Sequence, residues 1–502
     1  MANTFMNGLK SATNYGYTEN GAVKHNTTGS DLLDMFALGG AYRQRSNDDV
    51  VTLFKLAYAE NPTYALKCLF YLRDVRGGQG ERRFFRVCLR WLANNHPDAV
   101  LRNLENIPEY GRYDDLYELV DTSLENEMFA MIKKQLALDI QCKTPSLLAK
   151  WLKSENTSSD ESRMLGAKTR RAMGMTARQY RKTLSILRAR INVLERLMSA
   201  GRWDEIEFDK IPSKAGLKYK NAFARRDIIK KKYEAFITDK NTKVNATVLN
   251  PVDIAEEIYN NHPTSRWSDN VTPVQRAAWD KYWANLKDYY NGREENGIAV
   301  VDVSGSMSGQ PMAAAVSMGA YIAERGKGPF ANHFITFSSQ PQLVRFEGAD
   351  LYDKFWRARN ADWQMNTNLK GVFNLLLNTA IKNNCSQDEL PTRLYIFSDM
   401  EFDSCITNSS NSGWYNHTCL NRNQINTLVE DIKKEWAVYG YKMPQIVFWN
   451  LRAASQNIPA IGEGFSYVSG FSMNMVENIL SGKDGFALMM DKLNSERYAA
   501  VK

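Results

Sequence analysis

The chain has 502 residues, 44% apolar and 24% charged, an ordinary soluble globular composition and too long for a single core, since domains typically run about 100 to 200 residues. Its net charge of +8 is unevenly spread: between Arg163 and Lys243 there are 22 Lys/Arg against 8 Asp/Glu, a net of +14, so the remaining residues sum to −6. Six scattered cysteines without a C-x-x-C pair exclude a disulfide framework, and neither the polar segment Met1 to Gly29 nor the Asp302-bearing stretch Ile298 to Ala323 reads as a secretory signal or a membrane span. The expected setting is a reducing cytoplasm with no membrane partner.

In chain order, residues 1–30 read as an extension ahead of the first regular element. From Asp31 to about Tyr290 apolar residues recur at helical spacing: Leu32, Leu33, Met35 and Phe36, then Val50, Val51, Phe54 and Leu56, then Leu66, Leu69, Phe70 and Leu72. Short breaks at Asn61-Pro62, Gly77-Gly78, His96-Pro97 and Pro108-Glu109 separate them. Helices of about 10 to 15 residues joined by such turns predict stacked helical pairs, in the HEAT or armadillo style, over residues 31–292. The polar run from Ser154 to Ser162 reads as a loop. Thr176 to Met198 predicts one amphipathic helix, with Tyr180, Leu184, Leu187, Ile191, Leu194 and Met198 on one stripe and Arg178, Arg181, Lys182, Arg188 and Arg190 around the rest.

From Gly297 the rhythm changes. Ile298 to Val303, Phe334 to Ser338, Leu343 to Phe346, Leu394 to Ser398 and Gln445 to Asn450 read as strands; Met312 to Ala323, Leu369 to Ile381, Asn423 to Ala437 and Met473 to Leu480 read as helices. This alternation predicts an open, mostly parallel α/β sheet over residues 293–502, with ligands at the C-terminal strand ends.

One such end carries Asp302-Val-Ser304-Gly-Ser306. A buried strand ending in Asp-x-Ser-x-Ser puts a carboxylate and two hydroxyls on one tight turn, with Gly305 easing the backbone; these hard oxygen donors suit Mg²⁺ or another hard divalent cation. Thr367, and Asp399 at the end of a second strand, supply further oxygen ligands, and Glu401 and Asp403 lie close enough in sequence to tune the site. Two carboxylates with no neighbouring His or Lys base lack the general base or second metal that hydrolysis needs, so no catalytic residue is assigned and the chain is read as a non-enzyme.

The basic segment predicts a polyanionic partner. Lys168, Arg170 and Arg171, then Arg178, Arg181 and Lys182, then Lys214, Lys218 and Lys220, then Arg225 and Arg226 recur at intervals that suit phosphate contacts, with Tyr180, Tyr219 and Phe223 as stacking faces. Two weaker candidates remain. Arg73-Asp-Val-Arg-Gly-Gly-Gln-Gly-Glu-Arg-Arg83 reads as an interhelical turn that could hold an anion, and Cys405, His417 and Cys419 read as loop thiols rather than a zinc site that lacks its fourth ligand.

The order and spacing of Asp302, Ser304, Ser306, Thr367 and Asp399 resemble the metal-ion-dependent adhesion site (MIDAS) of the von Willebrand A domain, which draws its ligands from three loops. A helical solenoid followed by such a domain resembles the Ro ribonucleoproteins, which carry the TROVE module. The chain is still more similar to a related family with the same two parts, through Leu72 to Arg83, Ile211-Pro-Ser-Lys-Ala215 with Tyr219, and Phe397-Ser-Asp-Met-Glu-Phe-Asp403. The resemblance implies an α + α/β architecture: a HEAT-like helical-repeat domain that closes into a ring, then a Rossmann-like, doubly wound von Willebrand A domain. It also implies RNA as partner, with single-stranded ends in the ring and small noncoding or misfolded RNA on the basic outer surface. A nuclease or another protein then engages the metal site. The alternative is a metal-dependent protein-adhesion scaffold without nucleic acid.

Overall fold

The computed structural model describes residues 13–191, 193–260, 271–337, 340–359, 367–403 and 427–502. Cys405, His417 and Cys419 lie outside them, as do Ser338 and Asn423. The chain forms two compact units that interleave along the sequence: Met1–Pro62, Asn250–Val271 and Leu286–Leu493 in one, Thr63–Leu249, Thr272–Asn285 and Asn494–Lys502 in the other. The N-terminal region is rich in helix and the C-terminal region holds a mixed sheet. No helix of the described residues is long and apolar enough to cross a membrane.

In the first unit a hairpin of β1 (Tyr15–Tyr17) and β2 (Val23–His25) precedes the sheet strands β3 (Gly297–Val301), β4 (His333–Thr336), β5 (Leu343–Arg345), β6 (Arg393–Ser398), β7 (Gln445–Asn450) and β8 (Phe465–Ser469). The sheet order is β5-β4-β3-β6-β7-β8, parallel throughout except for β4 against β5. That order, 3-2-1-4-5-6 within the sheet, is the doubly wound one, and its winding reverses between β3 and β6. β6 is buried at every position and β3 at all but its first, as continuous apolar runs in a covered parallel sheet require. The helix Gln310–Arg325 lies close on β3: a Cβ on its Gly319 would come 2.4 Å from Val301 Cγ2. Periodicity misses β8, whose Phe-Ser-Tyr-Val-Ser run lacks the aliphatic character of its neighbours, and also β1 and β2, which form a hairpin within the residues expected as an extension ahead of the first regular element.

The second unit packs helices against helices. Arg82–Asn95 buries Phe84, Phe85, Cys88, Leu89 and Leu92 on one stripe and exposes Arg82 and Arg90 on the other. Ser213–Arg225 packs against Asp227–Thr238 and Pro273–Ala284, with Phe208, Phe223 and Tyr233 in mutual ring contact. The basic stretch expected as one helix is two. Ala177–Arg190 starts at a capping box, Thr176 accepting from the Gln179 N–H, and stops at Ile191; Leu194–Ser199 follows. Tyr180, Leu184, Leu187 and Leu194 are buried as the stripe predicts.

Candidate functional site

Asp302 and Asp399 follow adjacent strands on either side of the winding reversal, the place where open α/β sheets bind ligands. Both carboxylates are buried. Asp302 Oδ1 accepts from the Ser304 N–H at 2.8 Å and Oδ2 from the Ser398 hydroxyl at 2.6 Å, so both oxygens are fixed in direction. Asp399 Oδ1 accepts from the Glu401 N–H at 3.2 Å, while Oδ2 is buried with no hydrogen-bond partner. Burial, and then the neighbouring Asp399 charge, push the Asp302 carboxyl up to about 6; burial raises Asp399 as well. Met400, directly after Asp399, is held at φ 64°, a left-handed conformation uncommon for a side chain of its size. The left-handed glycine near the first loop is Gly309 (φ 86°), which leads into the helix Gln310–Arg325, rather than Gly305.

Ser304 is buried and Ser306 exposed, and their hydroxyl oxygens lie 3.0 Å apart. Asp399 faces the Ser306 hydroxyl, which draws its carboxyl down against burial, so two carboxylates and two serine hydroxyls offer oxygen donors of the kind a hard divalent ion takes. Thr367 Oγ1 is buried and donates to Glu401 O at 2.8 Å, with Asp403 Oδ1 at 3.2 Å. Glu401 is fully used within the fold: Oε1 accepts from Ser455 Oγ and Asn457 Nδ2, and Oε2 from the Glu19 N–H at 2.7 Å. No trio of His, Cys, Asp or Glu side chains among the described residues is arranged to hold a metal. The groups brought together are instead the carboxylates and hydroxyls of Asp302, Ser304, Ser306 and Asp399, with Thr367 bonded to the segment that follows Asp399.

The basic residues separate into three groups. Arg171, Arg178, Arg181, Lys182, Lys214, Lys218, Arg225 and Arg226 are exposed. Lys168 and Arg170 are committed within the fold, Lys168 to Asp121 (2.6 Å) and Glu125 (2.7 Å), Arg170 to Glu155 (2.8 Å). Lys220 is buried, its ammonium 3.4 Å from Leu217 O and over the Trp279 ring, out of reach of a surface phosphate. Tyr180 and Phe223 are core rings rather than stacking faces, and Tyr219 is half-buried with its hydroxyl on Glu195. Arg181 borders a cleft of about 680 Å³ beside Arg196, Arg188 and Lys150, and Arg171 borders one of about 410 Å³ beside Lys133.

The arginine-glycine turn buries its first arginine inside the fold. Arg73 is buried against Asp115, with Nε at 2.8 Å and Nη2 at 2.7 Å, and the same carboxylate accepts from Arg86 Nε at 2.7 Å. Asp74 accepts from Arg497 and Tyr498, and Arg76 faces Glu109. Arg73 and Arg76 are thus engaged by internal acids, while Arg82 is exposed.

An α/β unit bearing an acid and hydroxyl cluster at its winding reversal, together with a helix-rich unit bearing exposed cations, makes a two-part protein. The chain belongs to the family described as domain of unknown function DUF2828, whose model matches residues 18–163 and 144–290. Residues 296–499 match a second model, domain of unknown function DUF7788. The chain is 32% identical over 515 residues to "Uncharacterized protein L728" of Acanthamoeba polyphaga mimivirus, covering 94% of this chain and 85% of that protein. Among solved structures it aligns with the Ro (RSR) protein of Deinococcus radiodurans at a TM-score of 0.49 and 13% identity, covering 94% of this chain and 100% of that one.

Proposed function

We propose that this protein is a non-enzymatic RNA-binding protein of Ro type. A HEAT-like helical unit contacts small noncoding or misfolded RNA, and a von Willebrand A unit holds Mg²⁺ or a similar hard cation at its MIDAS-like cluster. The observation that carries the RNA reading is the exposed set on Ala177–Arg190: Arg178, Arg181 and Lys182 project from one helix, with no carboxylate partner among the described residues. A fold that consumes its cations internally, as it does with Lys168, Arg170 and Arg73, leaves these in water, and phosphate contact with release of counterions is the interaction they serve. With Tyr180 and Phe223 buried and Tyr219 half-buried on Glu195, recognition rests on backbone charge rather than on bases. The non-enzymatic part rests on the donor set, in which carboxylates and hydroxyls supply neither a second metal nor a His or Lys base. Binding of a single-stranded RNA oligonucleotide, measured at low and moderate salt, tests the reading: affinity has to fall steeply with salt, and absence of binding at low salt sinks it.

A further inference from the structure

The chain's own N-terminal hairpin sits against the strand-end cluster. β1 and β2 pair through only three residues each, too little to hold a hairpin together in water, so its contacts with the sheet loops keep it in place. Those contacts converge on the turn Thr18-Glu19-Asn20-Gly21. Thr18 Oγ1 donates to Phe402 O at 2.7 Å, the Glu19 N–H to Glu401 Oε2 at 2.7 Å, and Asn20 Nδ2 to Glu401 O at 2.6 Å and to Thr367 Oγ1 at 3.2 Å. Gly21 bridges to Asp403. Behind the turn, the His25 N–H donates to Ile458 O at 2.9 Å, and the buried Lys24 ammonium is held by Gln456 O at 2.7 Å, Ser455 Oγ at 3.1 Å and Asn457 Oδ1. Thr18, Ala22, Lys24 and His25 are all buried, so the segment is built into the unit.

We infer that this turn is an intramolecular occupant of the site. The Asn20 carboxamide takes the outer position beside Thr367 that a carboxylate or phosphate from outside needs, so an outside ligand has to displace the hairpin first. The Asn20 Nδ2 donates to Thr367 Oγ1 at 3.2 Å and to Glu401 O at 2.6 Å, so the amide covers the Thr367 hydroxyl by hydrogen bonding. The inference rests on the metal reading for the ion, whereas the seating of the hairpin does not require one.

The test uses the full-length protein and two readouts, amide hydrogen exchange and the water-proton relaxation of bound Mn²⁺. In the wild type the Glu19 and His25 amides exchange slowly. In Thr18→Val/Asn20→Ala the Glu19 amide exchanges at least tenfold faster, the β3 and β6 amides stay unchanged, and relaxation by bound Mn²⁺ rises as more water reaches the ion. Asn20→Ala alone, which removes one exposed side chain, serves if the double variant does not fold. Fast exchange of the wild-type hairpin, or variants that change neither readout, overturns the inference. Should the amides behave as expected while neither protein binds Mn²⁺, the place of Asn20 beside an ion is overturned and the cap over Thr367 and Glu401 stands.

Discussion

Asp302 and Asp399 leave two neighbouring parallel strands almost side by side, because Val301 lies opposite Phe397 in the β3–β6 register. Two carboxylates brought together and buried resist ionising together, which is why burial and mutual charge raise Asp302. A divalent cation removes that conflict.

Mg²⁺ should therefore raise the melting temperature of the wild-type protein relative to EDTA. The stabilisation is about 2.7 kcal/mol when free Mg²⁺ stands a hundredfold above Kd. Asp302→Asn should lose the increment. A wild-type melting curve that ignores Mg²⁺ and Mn²⁺ alike removes the metal from the account.

For RNA, replacing Arg178, Arg181 and Lys182 with alanine should weaken binding of a single-stranded oligonucleotide and flatten its salt dependence, by about 0.7 in the log–log slope for each phosphate no longer neutralised. Lys220→Met should leave that slope unchanged, since its ammonium is buried beside Trp279. Filter binding at several salt concentrations separates the two; an equal drop in both variants contradicts the assignment.

Asp115→Ala should be severely destabilising. The substitution strands the buried Arg73 guanidinium and removes one of the carboxylates that hold Arg86, and breaking a buried ion pair by removing one partner costs about 3–5 kcal/mol. Urea unfolding measures it, and a loss below about 1 kcal/mol argues that water replaces the carboxylate.

The C-terminal segment is pinned by Arg497, whose Nε and Nη2 bond the two oxygens of buried Asp74 at 2.8 and 2.9 Å, with the Tyr498 hydroxyl at 3.1 Å. Burial alone would raise the Asp74 carboxyl, but the bonds from Arg497 and the Arg76 and Gly77 amides outweigh it and hold it below its ordinary value. Because the folded value is depressed, the stability it contributes is complete above the ordinary aspartate range, about 3.9, and drains away as pH falls through the lowered folded value. Asp74→Asn should lower stability at pH 7 and make the acid limb of a pH–stability curve shallower; parallel curves for variant and wild type contradict the linkage.

Much of this was legible in residue order. The strands β3, β6 and β7 are continuous apolar runs, and a carboxylate after each of two such runs predicts neighbours at a strand-end cleft wherever the sheet is doubly wound. Helix starts were legible too, as at Thr176 with Gln179. The break at Ile191 was not, because the apolar stripe carries on through it while the backbone does not.

Composition and periodicity alone determined the two-part character, the basic segment and the oxygen donors at the end of β3, because each depends on near neighbours in sequence. Tertiary structure alone decided which cations remain available: Lys168 meets Asp121 across 47 residues and Arg73 meets Asp115 across 42. It also decided that residues 15–25, polar and without a motif in sequence, pack against Thr367 and Glu401, more than 340 residues away. Charge pairing and capping between segments that distant depend on where folding places them, and no local pattern in the chain encodes that proximity.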